Sequence, residues 1–445
     1  MDKLPFLFFL LLSLCVISVA APIILPVEAN GTIFINADGS VDGTNKILRD
    51  GNLYVFTGDV FGSVVVEKDD VVIDGSDFSL EGTDVGTGIS LRERTNVTVQ
   101  NLAVSGFFYG VHLNSSHNNN LSNSNITGNF YGIYLSASSN NTISGNDITG
   151  NDYPGVWLRS SSNNEIRENR ITGNGQDGIW LSTSSDDNQV LGNTIRDNGL
   201  GIRIDDYSNN MLRDNDLRDN GGNFGVFGSH LPEFIQDIDA SNTVDGKPII
   251  YWVNRQDDAV PLDAGYVALV DCSGITAQNL DLSHNGQALL LAQTTDSTIT
   301  QNNIAENIHG IYLCGSSDNT ISGNNISRNA ANGIYLYYSE NNHFFHNNFV
   351  NNTEPVYTVG ESSNIWDNGT EGNYWGSYNG TDSNGNGITD TPYVIDEHNQ
   401  DNYPLMKTIP EFPSWTILPL LITATLVAII YRKRLHKNRQ SKRSY

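Results

Sequence analysis

The chain has 445 residues, with 24 basic against 50 acidic side chains, a formal net charge of −26 and 42 glycines. So acidic a surface excludes nucleic acid as a partner, and 3 cysteines are too few for a disulfide scaffold. An acidic excess of this size suits solubility in salty surroundings, repulsion between neighbouring molecules or binding of divalent cations.

In chain order, Leu4 to Ala20 is an apolar run behind Lys3, too short for a comfortable membrane span and followed by small residues, so residues 1–20 read as a secretory signal. Residues 21–85 read as an N-terminal cap with the first coils. From 86 to 222 a unit of about 22 residues recurs, spelled Gly-Ile-x-Leu, a Ser/Asn-rich turn, Asn-x-Ile, then Asn-x-Ile-x-x-Asn. Clear copies start at Gly110, Gly132, Gly155, Gly178 and Gly201, and again at Ala288, Gly310 and Gly333. A fixed period of this length marks a solenoid. The apolar set of one copy, Ile133, Leu135, Ile143 and Ile148, is short, β-branched and broken by Asn, Gly and Ser. That pattern predicts an all-β chain with about 22-residue coils and three short strands per coil. Stacking would set Ile on Ile about 4.8 Å apart and close one continuous core. Asn belongs at the bends because it tolerates left-handed backbone angles and satisfies backbone groups; Asn146, Asn169, Asn215, Asn302, Asn324 and Asn347 are expected to form an amide ladder along the axis.

Residues 223–265, rich in Ile, Tyr, Trp and Pro, interrupt the period as an insertion, and repeats resume over 266–355. Cys272 and Cys314 fall on coils two steps apart, about 9 to 10 Å along the axis. That exceeds the roughly 7 Å a disulfide allows, so free thiols are expected. Residues 356–404 read as a C-terminal cap and 405–414 as a linker. Trp415 to Tyr431 is apolar and is followed by Arg432, Lys433, Arg434 and Lys437, which predicts a C-terminal transmembrane helix over 415–431 and a basic cytoplasmic tail over 432–445. Asn-x-Ser/Thr sequons such as Asn96, Asn120 and Asn351 are candidate glycan sites on an exported chain.

The repeats resemble the right-handed parallel β-helix of the group that includes the nitrous-oxide-reductase maturation protein NosD and the carbohydrate-binding and sugar-hydrolase β-helices. Arg49-Asp50-Gly51-Asn52-Leu53-Tyr54, Val72-Ile73-Asp74-Gly75, Val244-Asp245-Gly246-Lys247-Pro248, Gly372-Asn373-Tyr374-Trp375 and Asp401-Asn402-Tyr403-Pro404-Leu405 are similar to segments of archaeal surface proteins. The resemblance covers most of residues 30–405 and implies the fold; it does not imply one activity, because this scaffold hosts lyases, epimerases, hydrolases and non-enzymes. Ile409 to Pro413 with the apolar stretch and basic tail also resembles an archaeal surface-sorting signal, which implies replacement of the helix by a lipid.

Three places could carry chemistry. Asp382, Asn384, Asn386, Ile388 (by its carbonyl) and Asp390 follow the ligand order of a calcium loop with Gly387 at the bend, although Tyr393 stands where a bidentate Glu belongs. The alternative is a solvated loop that caps the solenoid. Arg203, Asp205 and Asp206 are candidate catalytic residues on one coil, the alternative being a solvated turn. The residue between Ile and Leu of each Gly-Ile-x-Leu strand should face outward: His112, Tyr134, Trp157, Trp180 and Arg203, then Leu290, Tyr312 and Tyr335. Tyr134, Trp157 and Trp180 beside Arg203 would form a flat platform for sugar rings, or a floor that residues 224–264 cover. NosD implies copper, but soft-metal sites need clustered His, Cys or Met; His112, His117, His343 and His346 read as ordinary surface positions, so no copper is expected. The expectation is a non-enzymatic, membrane-anchored cell-surface protein binding envelope polysaccharide or mediating adhesion, with a surface-anchored carbohydrate-active enzyme as the rival.

Overall fold

One coil shows how the repeat folds. Its strands are Tyr131–Ser136, Thr142–Ser144 and Asp147–Thr149, and Ile133, Leu135, Ile143 and Ile148 point inward, buried. Each strand pairs in parallel with its counterpart in the next coil, so Ile133 meets Val156, Leu135 meets Leu158, Ile143 meets Ile166 and Ile148 meets Ile171. Burying one such side chain contributes about 1.5–3 kcal/mol, and only stacking removes it from water. The result is an all-β, right-handed-type solenoid of about 15 turns. The computed structural model describes residues 31–206 and 209–410. The signal segment 1–20, the apolar span 415–431 and the tail lie outside them. Among the described residues no helix is long and apolar enough to cross a membrane.

The expected amide ladder forms. Asn146 Nδ2 donates to Asn169 Oδ1 at 3.0 Å, Asn169 to Asn193 at 3.0 Å and Asn193 to Asn215 at 3.0 Å, and Asn302, Asn324 and Asn347 continue the motif at 2.9 Å per step. Further ladders run through Asn141, Asn164 and Asn188 and through Asn151, Asn174 and Asn198. The left-handed backbone, however, falls on the residue before each ladder Asn: Gly145, Glu168, Gly192 and Asp214 have φ of 65°, 55°, 62° and 56°. The ladder Asn itself turns inward to satisfy buried N–H and C=O groups, which its neighbour cannot do from the outside.

The stretch 223–265 opens as a regular coil. Gly222–Phe227, Asp237–Ile238 and Thr243–Val244 each join the strand below in parallel. Asp245 and Gly246, with φ of 49° and 78°, then make the hairpin for which Asp-Gly is suited, and Lys247–Val253 runs back antiparallel to Thr243–Val244. Later coils therefore continue the third sheet of the first stack, which grows to 15 strands, but build their core on its other face. The alternation in Tyr266–Val270 shows this: Val267 and Leu269 enter the second core, while Tyr266, Ala268 and Val270 enter the first. All five are buried.

Hence the outward positions of the second stack correct the expectation for Leu290 and Tyr312, which are 0% and 6% exposed. They close the end of the first core, helped by Phe224 and by Phe234 from the short 3-10 turn Leu231–Phe234. The far end is sealed by Trp366 and Trp375, stacked on Phe344 and Phe349 with centroids 4.3 and 4.4 Å apart. Cys272 and Cys314 are free and buried, one in each core.

Candidate functional site

Strict register turns a repeated outward position into a column. His112, Tyr134, Trp157, Trp180 and Arg203 are successive partners across the Gly-Ile-x-Leu strands. Their rings stack at centroid distances of 5.0, 4.6 and 4.9 Å, the two indoles only 8° from parallel. The Arg203 guanidinium ends the row, 5.0 Å from the Trp180 ring and 5.3 Å from Phe227. Tyr109 and Tyr131 form a second column three residues earlier on their strands, 5.3 Å apart, and Tyr131 lies 5.5 Å from Trp157. Tyr134, packed among these rings, is only 7% exposed, which corrects its expected place on an open stripe; Trp157 and Trp180 keep part of their surface free. The former insertion reaches the row at Arg203 through Phe227.

Each indole N–H donates one coil onward, from Trp157 to Ser182 Oγ and from Trp180 to Asp205 Oδ2, both at 2.8 Å. Asp205 also accepts from Arg203 Nε at 2.8–2.9 Å, and its side chain is 14% exposed. A solvated turn is therefore the wrong reading of Asp205: it anchors Trp180 and Arg203. Asp206 follows at the rim with φ of 59°, its carboxyl pushed up by partial burial and by Asp205 and Glu233 nearby.

Asp177 was not legible as a site residue. It begins the strand Asp177–Ser182 three residues before Trp180, the place that Tyr109 and Tyr131 fill relative to His112 and Tyr134. It is 7% exposed, and burial, reinforced by Asp205 and opposed by Arg203, raises its pKa to about 7. His112, read as a surface residue, is held down to about 4 by burial, and among the described residues its Nε2 has no hydrogen-bond partner.

Beyond Phe227 a second row begins. Phe227 meets His309 at 6.3 Å, His309 meets Tyr335 at 5.6 Å, and Tyr312, Tyr335 and Tyr357 stack at 4.6 and 5.5 Å. Beside it, His230, Leu231, Phe234, Cys314, Tyr337 and Tyr338 line a cavity of about 360 Å³.

The loop Asp382 to Asp390 sits apart, against the closing coil. Asp382 accepts the N–H groups of Gly385, Asn386 and Gly387 at 2.7, 3.1 and 2.9 Å, and Asp390 accepts Ser383 N–H and Oγ–H at 2.9 and 2.6 Å. Asn384 and Asn386 accept the N–H groups of Asn386 and Ile388 at 3.0 and 2.9 Å. The Met406 N–H donates to the Gly387 carbonyl at 2.9 Å and ties the loop to the cap.

A family model described as periplasmic copper-binding protein (NosD) matches residues 45–237 and 257–380, well over half of the chain. The chain belongs to the NosD family. No curated protein matches it. Similar solved structures include the A-module of Azotobacter vinelandii mannuronan C-5 epimerase AlgE6, 14% identical, covering 70% of this chain and 87% of that one with a TM-score of 0.38. The catalytic domain of a GH87 alpha-1,3-glucanase in complex with nigerose is 16% identical, covers 76% and 63%, and has a TM-score of 0.37. The tailspike of E. coli bacteriophage HK620 is 12% identical, covers 68% and 59%, and scores 0.36.

Copper is the group the NosD description names, and the donors here do not fit it. His112 and His309 lie in different rows, each against aromatic rings, and burial pushes the Cys314 thiol up to about 12, away from the thiolate a soft metal takes. Among the described residues no three or more His, Cys, Asp or Glu side chains converge as a ligand set.

Proposed function

We propose that this NosD-family solenoid is an exported rod that binds polysaccharide of the cell envelope along the row Tyr134, Trp157, Trp180 and Arg203. The observation that carries the reading is the stack of two near-parallel indoles, partly open to solvent and fixed by hydrogen bonds to Ser182 and Asp205. Rings locked in this way present flat apolar surface without an ordering cost on binding, and a repeat one coil apart suits a chain of sugars better than a single small molecule. The chain's acidity favours a neutral polysaccharide over a polyanion. Anchoring through 415–431 and stiffening of the C-terminal cap by calcium at Asp382 and Asp390 belong to the same proposal. Calorimetric titration of the purified chain with neutral polysaccharides, with and without calcium, tests it. Trp157→Ala and Trp180→Ala should each weaken binding about tenfold or more, as removal of a buried aromatic anchor does. Equal affinity in both variants would place any binding elsewhere.

A further inference from the structure

The joint between the two stacks holds a cavity that the row of Trp157 and Trp180 does not use. Val270, Ala292, Cys314 and Tyr337 are successive partners across the shared sheet. Ala292 and Cys314 are small and Gly315 follows on the bend, so the column leaves a hollow of about 360 Å³ before it reaches Tyr337. There the Tyr337 and Tyr338 rings meet at 74° with centroids 4.8 Å apart and form an aromatic corner. The short turn Leu231–Phe234 supplies the roof, with Leu231 and Phe234 over the hollow. That roof is fixed in place: the Tyr251 O–H donates to the Phe234 carbonyl at 2.5 Å and the Tyr312 O–H to the Gly228 carbonyl at 3.2 Å. His230 and Tyr338, both exposed, leave the hollow open to solvent. Its volume lies near the lower end of small-molecule sites, roughly 300–1,000 Å³, so it suits one small guest and not a polymer.

The charge around the hollow is one-sided. Among the described residues no Lys or Arg lines it. Glu233 belongs to the roof, with Oε1 3.2 Å from His230 Nδ1, and burial together with the Glu233 charge keeps the Cys314 thiol protonated and that wall neutral. Burial, Asp205 and Glu233 push up the carboxyl of Asp206 against Arg203 and His230, so acidic charge is in surplus here. Electron-rich ring faces beside surplus negative charge favour a cation whose apolar groups fill the space; a carboxylate or phosphate would be repelled. We propose that the cavity at the joint binds a small organic cation of the quaternary-ammonium class, its head against the Tyr337 and Tyr338 rings and facing Glu233. The site stands independently of the polysaccharide row.

The test is calorimetric titration of the purified full chain with choline, tetramethylammonium and 3,3-dimethylbutan-1-ol, the uncharged isostere of choline. Both cations should bind with a dissociation constant of about 1 mM or tighter, and the alcohol about tenfold or more weaker, because it keeps the shape and loses the charge. Tyr338→Asn removes one ring and keeps a residue that tolerates the left-handed backbone, φ 43°; it should weaken choline about threefold or more. Glu233→Gln keeps an oxygen to accept the Ser229 and His230 N–H groups and should weaken choline by a similar factor while leaving the alcohol unchanged. Trp157→Ala, on the other row, should leave choline affinity as it is. Equal affinity for choline and its isostere would overturn the cation reading. Choline affinity unchanged in both Tyr338→Asn and Glu233→Gln, or lost in Trp157→Ala, would overturn the placement. Absence of binding by either cation at about 10 mM would overturn the site.

Discussion

Asn169 gives the sharpest test of how the solenoid is held. Its side chain is 2% exposed. Nδ2 donates to the Ile143 carbonyl at 2.9 Å and to Asn193 Oδ1 at 3.0 Å, while Oδ1 accepts the Asn146 N–H at 2.9 Å and the Asn146 amide at 3.0 Å. In Asn169→Ala the Asn146 amide keeps the Leu121 carbonyl and Asn193 Oδ1 keeps the Asn169 main-chain N–H. The Asn146 N–H and the Ile143 carbonyl are left buried without that partner. At about 1–3 kcal/mol for each orphaned group, the cost is about 2–6 kcal/mol. Because each coil touches only its neighbours, hydrogen exchange should accelerate at least tenfold in the strands Thr142–Ser144, Glu165–Arg167 and Gln189–Leu191 and little at the far cap. Asn169→Asp adds a pH signature. The new carboxyl is buried, with one oxygen against two acceptors and the other keeping the two Asn146 donors, so burial sets the direction and its folded pKa lies above the unfolded value of about 3.9; the variant is most stable below that pH and weakens as pH rises through the folded pKa. Exchange unchanged in Asn169→Ala would mean that the ladder decorates the fold without holding it.

Other outcomes follow from the same geometry. Ile143→Asp or Ile321→Asp buries an unpaired charge at a position 1% or less exposed and should cost several kcal/mol, read as a lower denaturant midpoint. Asp177 has a folded pKa of about 7 against 3.8, so its share of stability is full below about pH 4 and lost as pH rises through about 7. The stability of wild type relative to Asp177→Asn should therefore fall as pH rises through that window, in denaturant titrations of both at each pH. If calcium loads the Asp382 loop, millimolar calcium raises the melting temperature, by about 2.7 kcal/mol of stability at a hundredfold excess over Kd. Asp382→Ala with Asp390→Ala should remove that rise; an equal rise in wild type and variant would assign the effect to the acidic surface.

The coil was legible because burial in a parallel stack repeats one residue at one spacing, so Ile143, Ile166 and Val190 spell the inner face and the ladder Asn marks each bend. The joint was less so. Asp245-Gly246 is a readable hairpin signal, yet nothing local says that strands after it bury both faces, and Leu290 and Tyr312 took the outward label of the first stack. Asp177 escaped for a related reason. Reading only the residue between Ile and Leu follows one column, and three residues earlier the coils carry Thr87, Tyr109, Tyr131, Pro154, Asp177 and Leu200, so no repeated residue type marks Asp177. Asp205 was read as a turn because Ser182 fills its slot one coil earlier, where it too accepts an indole N–H.

The most direct measurement of the central claim is hydroxyl-radical footprinting of the chain, free and saturated with a polysaccharide it binds. Trp157 and Trp180 should lose reactivity on binding, together with Tyr131 of the adjoining column. Trp252, under Arg255 at 4.1 Å, and Tyr338, 58% exposed on the second stack, should not change. Protection of Trp252 or Tyr338 with Trp157 and Trp180 unchanged would contradict the account.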